Sequence, residues 1–149
     1  MIHTSMGRNN ISRIFVDTWA WYALTDTNDA DHAIAEETNA RLLNEGSTFV
    51  TTNYVLSESV TLVRYKLYHS VAVRFWEMTH QLVESGLVEL IRVSPAQEDI
   101  AWTIFKQYTD QDFSFPDCTS FAAMQEQNIS HVFTGDHHFE TMGFIVVPS

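Results

Sequence analysis

Only one cysteine, three prolines and five glycines occur in 149 residues, and only 8 lysines and arginines stand against 19 aspartates and glutamates. The lone Cys118 cannot close an internal disulfide, which excludes a small disulfide-stapled scaffold. No apolar run approaches the roughly 20 residues needed to cross a bilayer, and nothing resembles the basic start, apolar centre and small-residue cleavage site of a secretory signal. A cytoplasmic protein without a membrane partner is expected. The sequence also lacks internal repeats, low-complexity runs and interdomain linkers, so one domain is the simplest organisation; a chain of this size buries about 68–70% of the surface its unfolded form exposes. Met1 to Asn10 is polar and aperiodic. Residues 1–12 are therefore expected to be a disordered tail, outside a domain of residues 13–149.

The shortage of basic residues leaves a net charge of −11, which argues against a protein that holds nucleic acid by charge alone. A site that gathers acids around divalent cations would look too negative in such a count, because the cations are missing from it. That accounts for part of the imbalance.

What is present is an alternation of short apolar runs with helical patterns. Strands are expected over Arg13 to Val16, Thr48 to Thr51, Val88 to Val93, His131 to Thr134 and Phe144 to Val147. Helices are expected over Asp29 to Asn44, Asn53 to Leu67, Val71 to Glu84, Pro95 to Tyr108 and Phe115 to Gln127. Asp29 or Asp31 could cap the first, and Gly46 and Gly86 follow two others. This alternation predicts an α/β fold, a mostly parallel sheet covered on both faces.

Four acids have positions that matter in such a sheet, where ligands gather beyond the carboxyl ends of the strands. Asp17 directly follows Ile14, Phe15 and Val16, although it could equally cap a short helix over Trp19 to Leu24. Asp136 repeats the arrangement after His131 to Thr134 and Gly135, which reads either as the same edge or as an ordinary Gly-Asp turn. Two like charges held close cost energy unless something positive lies between them. Asp117 has capping-box spacing from Ser114, with Pro116 in the first turn. A helix feeding the strand at His131 runs antiparallel to it, so that first turn also lies at the carboxyl edge. Glu58 shares a helical face with Thr61, Leu62 and Tyr65, either solvated or paired.

Taken in order, VDT with Asp17, TTNYVLSE with Glu58, DFSFPDCTSFAAM with Asp117 and FTGDHHF followed by MGFIVV with Asp136 resemble the PIN domain family, within it the VapC type toxins of bacterial toxin–antitoxin pairs. The resemblance spans Ile14 to Pro148 and implies a three-layer α/β/α fold with strand order 3-2-1-4-5. It implies a metal-dependent ribonuclease site, an RNA substrate, a VapB-like antitoxin and a homodimer. Carboxylate and water oxygens suit Mg²⁺ or Mn²⁺. Asp17 and Asp117 are expected to provide the principal metal contacts, with Asp136 and Glu58 binding directly, through water or at a second ion. Thr134 and Ser114 are candidates for holding an acid or a water.

Other features are expected to be ordinary. No His and Cys pair at zinc spacing; His137 and His138 adjoin Asp136 and could touch metal or phosphate, but adjacent side chains usually diverge, and the reading preferred for them is loop residues. Arg64, Lys66 and Arg74 read as RNA contacts or as a solvated helix face. Trp19, Trp21, Phe75 and Trp76 are assigned to the core or to a partner groove. Trp19 occupies the place of the second aspartate that a haloacid dehalogenase type phosphatase needs, and neither Lys66 nor Lys106 fits a receiver domain. The competing readings are a catalytically silent PIN-like module that binds protein or RNA, and a housekeeping RNA-processing nuclease.

Overall fold

Strands buried on both faces need nearly unbroken apolar sequence, and the central pair has it: Ile14, Phe15 and Val16 in one, Val132 and Phe133 in the other, all buried. A computed structural model describes residues 13–149. The tail expected over residues 1–12 lies outside the described residues. In chain order the elements are β1 (Arg13–Val16), α1 (Thr18–Thr25), α2 (His32–Asn44), β2 (Thr48–Thr52), α3 (Asn53–Lys66), α4 (His69–Glu84), β3 (Val88–Ile91), α5 (Pro95–Gln107), α6 (Phe115–Glu126), β4 (His131–Phe133), α7 (His138–Thr141) and β5 (Ile145–Val147).

The five strands form one sheet of order β3-β2-β1-β4-β5, and every neighbouring pair is parallel, so the sheet is wholly rather than mostly parallel. Phe15 pairs with Val50 on one side and Val132 on the other. From β1 the chain crosses to β2 in one direction, and β4 docks on β1's opposite edge. The strand order therefore reverses between β1 and β4, where their carboxyl ends open a crevice.

Local chemistry sets the helix ends. Gly46 and Gly86 adopt φ +82 and +86, which a side chain resists. Around each, the next amide reaches back five residues: Ser47 N–H to the Leu42 carbonyl and Leu87 N–H to the Leu82 carbonyl, satisfying the last turns of α2 and α4. Ser94 with Gln97 and Ser114 with Asp117 form reciprocal capping boxes at α5 and α6. Asp31 stands at the cap position of α2, but its carboxylate makes no capping bond; Asp29 instead accepts from the Asp31 amide and stabilises the preceding turn.

Beneath α6, Phe121 packs edge-on against Phe113 and Phe139, each with ring centroids 5.0 Å away, and all three rings are buried. Trp21 is buried against Phe75, whereas Trp76 remains 40% exposed. Trp19 is half-buried and edge-on to Phe133. Its indole explains Gly135, which is not needed for a positive φ. A Cβ on Gly135 would come within 2.4 Å of Trp19 Cε2. Gly135→Ala should therefore displace the indole and destabilise the fold by about 1–3 kcal/mol, the usual cost of overpacking; urea denaturation of the purified variant measures this directly.

Candidate active site

Asp17 leaves the end of β1 and is buried, 6% exposed. Its amide donates to the Phe133 carbonyl of β4, so the strand pairing itself sets the position. Its backbone carbonyl starts α1 by accepting from Ala20 and Trp21, but its carboxylate makes no cap bond within that helix. The side chain instead accepts a hydrogen bond of 2.9 Å from the Thr134 hydroxyl. The same Thr134 oxygen accepts from the Asp136 amide at 3.0 Å. One hydroxyl thus ties together the two acids that follow β1 and β4.

Asp117 stands in the first turn of α6. Its Oδ2 accepts from the Ser114 amide at 3.0 Å, and its own amide donates to Ser114 Oγ at 3.1 Å. Ser114 acts here as a helix cap that orients an acid. Asp136 accepts from the His138 amide at 2.9 Å, which starts α7. The His138 ring then turns inward, with Nδ1 at 3.2 Å from both Asp117 Oδ2 and Asp136 Oδ1. Phe113 supports the imidazole edge-on, ring centroids 5.3 Å apart. His137 turns the other way, 91% exposed, toward Glu140.

Glu58, one turn inside α3, is exposed and accepts from the Thr18 hydroxyl at 2.7 Å. Asp17, Glu58, Asp117 and Asp136 line a single cleft of about 960 Å³, together with Thr61, Leu62 and Tyr65 from the face of Glu58. The structure brings all four expected acids to one place. Helices α1, α3, α6 and α7 begin at this edge, so the positive ends of their dipoles offset some of the negative charge.

They do not offset all of it. Burial pushes the Asp17 carboxyl up to about 7; the Thr18 amide and Thr134 hydroxyl oppose this, while the charges of Asp117 and Asp136 add to it. Asp117 is also raised, by burial first and by Asp136, with the Ser114 amide and His138 pulling it down. A site that resists its own ionisation calls for a cation. Asp117, Asp136 and His138 each offer a ligand atom within 4.8 Å of the others. His138 Nδ1 lies between the two carboxylates and holds them together, and the carboxylate oxygens form a hard donor set suited to a divalent ion.

A parallel sheet of this order with acids converging at its switch point defines a class, and the sequence agrees. The family model for the PIN domain matches residues 14–145, and the chain belongs to the PIN domain family. It is 32% identical over 134 residues to the 23S rRNA-specific endonuclease VapC20 of two Mycobacterium tuberculosis strains, CDC 1551 / Oshkosh and ATCC 25618 / H37Rv, a match covering 90% of this chain and 97% of each relative. The crystal structure of Mycobacterium tuberculosis VapC20, described as a sarcin-ricin loop cleaving toxin, superposes with a TM-score of 0.79 at 31% identity, covering 89% of this chain and 96% of that one.

One contributor is ranked too low by a reading of the sequence and another escapes it. A loop role is preferred for His138 over a place in the site, yet it bridges Asp117 and Asp136. Of the adjacent pair His137 and His138, only the local turn decides which points inward, and the GDHH string carries no such signal. Thr18 meets Glu58 across 40 positions in the chain. Its place directly after Asp17 was the one available hint.

The raised carboxyl of Asp17 has a definite sign. The fold favours its neutral form, so its contribution to stability is full below the unfolded value of 3.8 and is lost as pH rises through about 7. In chelator, thermal melts should show stability falling from about pH 5 to about pH 8, and Asp17→Asn should flatten that fall. Mg²⁺ or Mn²⁺ should raise the melting temperature more at the higher pH.

Proposed function

We propose that the protein is a divalent-metal-dependent endoribonuclease of the cytoplasm, the toxin of a toxin–antitoxin pair, held inactive by a cognate VapB-like antitoxin and working as a homodimer. The observation that carries this reading is the convergence of Asp17, Glu58, Asp117 and Asp136 on one cleft, two of them with raised pKa values. The likeness to endonucleases specific for 23S rRNA, over nearly the whole of both chains, supports RNA as substrate and makes 23S rRNA the first to assay.

Asp117 and Asp136 would hold Mg²⁺ or Mn²⁺ together with Asp17, and Glu58 would bind directly, through water or at a second ion. When bound, such an ion lowers the pKa of a water and stabilises charge on phosphate oxygens during in-line displacement. The chain's own groups prepare the place. Thr134 holds Asp17 and the turn at Asp136 in register, His138 keeps the Asp117 and Asp136 carboxylates together, and Ser114 fixes Asp117 on its helix. Glu58 is the most accessible of the acids, and Thr18 leaves it oriented to hold a water in the cleft. No side-chain nucleophile is required.

Replacing Asp17 or Asp117 with Asn should lower RNA cleavage in Mg²⁺ or Mn²⁺ by about 100-fold or more, since several kcal/mol of transition-state stabilisation depend on the ion. His138→Ala should cost about 10- to 100-fold, as is usual for an outer partner of a metal ligand. Cleavage is followed by mapping cut ends on total RNA. Undiminished cutting by a pure, folded Asp17 or Asp117 variant would remove the proposal.

A further inference from the structure

The acidic cleft does not end at Glu58. A second cleft of about 570 Å³ lies between α3 and the start of α4, and Thr61 and Tyr65 line both, so the two share a wall. A groove therefore runs from the acids along α3 toward α4. Tyr65 lies seven residues beyond Glu58, about two helical turns or roughly 10 Å along the axis. Its side chain is 81% exposed and makes no ring contact among the described residues.

Arg64, His69 and Trp76 line the second cleft. Trp76 is braced against His80, with ring centroids 4.4 Å apart. Arg64 forms no ion pair among the described residues, whereas Arg13 and Arg41 pair with Glu89 and Glu45. Glu77 is the acid in this cleft, and it lies beyond salt-bridge distance of Arg64. An unpaired guanidinium in a chain of charge −11, lining one cleft with two accessible aromatics and next to an acidic site, has the chemistry of a single-strand track. Every base offers a face for stacking, and the phosphates between bases need a cation.

We propose that this groove carries the single-stranded RNA next to the cleaved bond, with one base stacked on Tyr65, another on Trp76 and an intervening phosphate at Arg64. The proposal rests on the nuclease reading of the acidic cleft and adds how so negative a protein retains its substrate. Stacking supplies affinity that charge does not, and one well-placed arginine takes the phosphate. The groove between α2 and α4, lined by Trp21, Leu43, Phe75, Met78 and Leu82, has a different character and does not reach the acids.

The test measures binding apart from cleavage. On the Asp117→Asn background, fluorescence anisotropy compares a labelled single-stranded oligoribonucleotide of about 16 nucleotides, enough to span such a groove, with a dinucleotide. Tyr65→Ala should weaken binding of the longer RNA about 5- to 100-fold, the effect of losing one base stack, while Tyr65→Phe restores it and the dinucleotide is unaffected. Arg64→Ala should reduce the slope of log affinity against log salt by about 0.7, one single-strand phosphate contact. Both side chains are exposed, so the variants should fold, which circular dichroism checks. Unchanged binding by Tyr65→Ala and Arg64→Ala would overturn the proposal, as would a Tyr65→Ala variant that loses binding only by changing from dimer to monomer in sedimentation, since the surface would then join two copies of the chain. Failure of the nuclease reading would appear differently, as absent metal-dependent cleavage with the Tyr65 effect on binding intact.

Discussion

The hydroxyl of Thr134 is the contact around which the site is organised. It donates to Asp17 and accepts from the Asp136 amide, so the acids that end β1 and begin the turn after β4 are set by one oxygen. That oxygen is itself held in place: Thr134 is fully buried, and its amide donates to the Val147 carbonyl of β5. The Asp17 amide is likewise taken by Phe133. Neighbouring parallel strands therefore deliver two carboxylates to the same point, and the hydroxyl relieves some of the cost of keeping one of them buried.

That cost is not removed, and the arrangement around it follows from this. Asp17 would keep its proton to about neutral pH with nothing else present, and Asp117 is raised by the same burial and by Asp136. The chain answers with helix N-termini, backbone amides and the shared Nδ1 of His138, all partial or conditional positive charge. Folding brings the acids together at some expense of stability, and a divalent ion held there would convert that expense into affinity. The same reasoning limits what the acidic cleft can do for RNA binding without help from outside it.

Much of this was legible in the residues. Unbroken apolar runs marked β1 and β4, glycines marked the ends of α2 and α4, and Ser114 with Asp117 announced the start of α6. Those signals are local, and local signals survive in sequence. The order of the strands and the set of four acids were recognised through resemblance to a family, since no spacing in the chain states that positions 17 and 136 are neighbours. His138, the Thr18 to Glu58 bond and the Gly135 to Trp19 contact are decided by side-chain direction within turns and by packing between distant segments. Strand ends differ by a residue or two for a similar reason: Arg92 and Val93 look extended, but β3 pairs only through Ile91. The short α1 is legible as the helix that Asp17 could cap, whereas α7, four residues long, is brief enough that its pattern merges with the turns around it.

Asp117 holds two offices at once, as the third residue of a capping box and as a carboxylate of the cleft. Natural variation at this position is consequently constrained from two directions. A residue that disarms the cleft yet can still accept from the Ser114 amide leaves the helix start intact, whereas an apolar residue unravels the cap as well. Descendants that keep the fold after abandoning the chemistry should for that reason retain a short polar side chain here, a recognisable scar of the former trade.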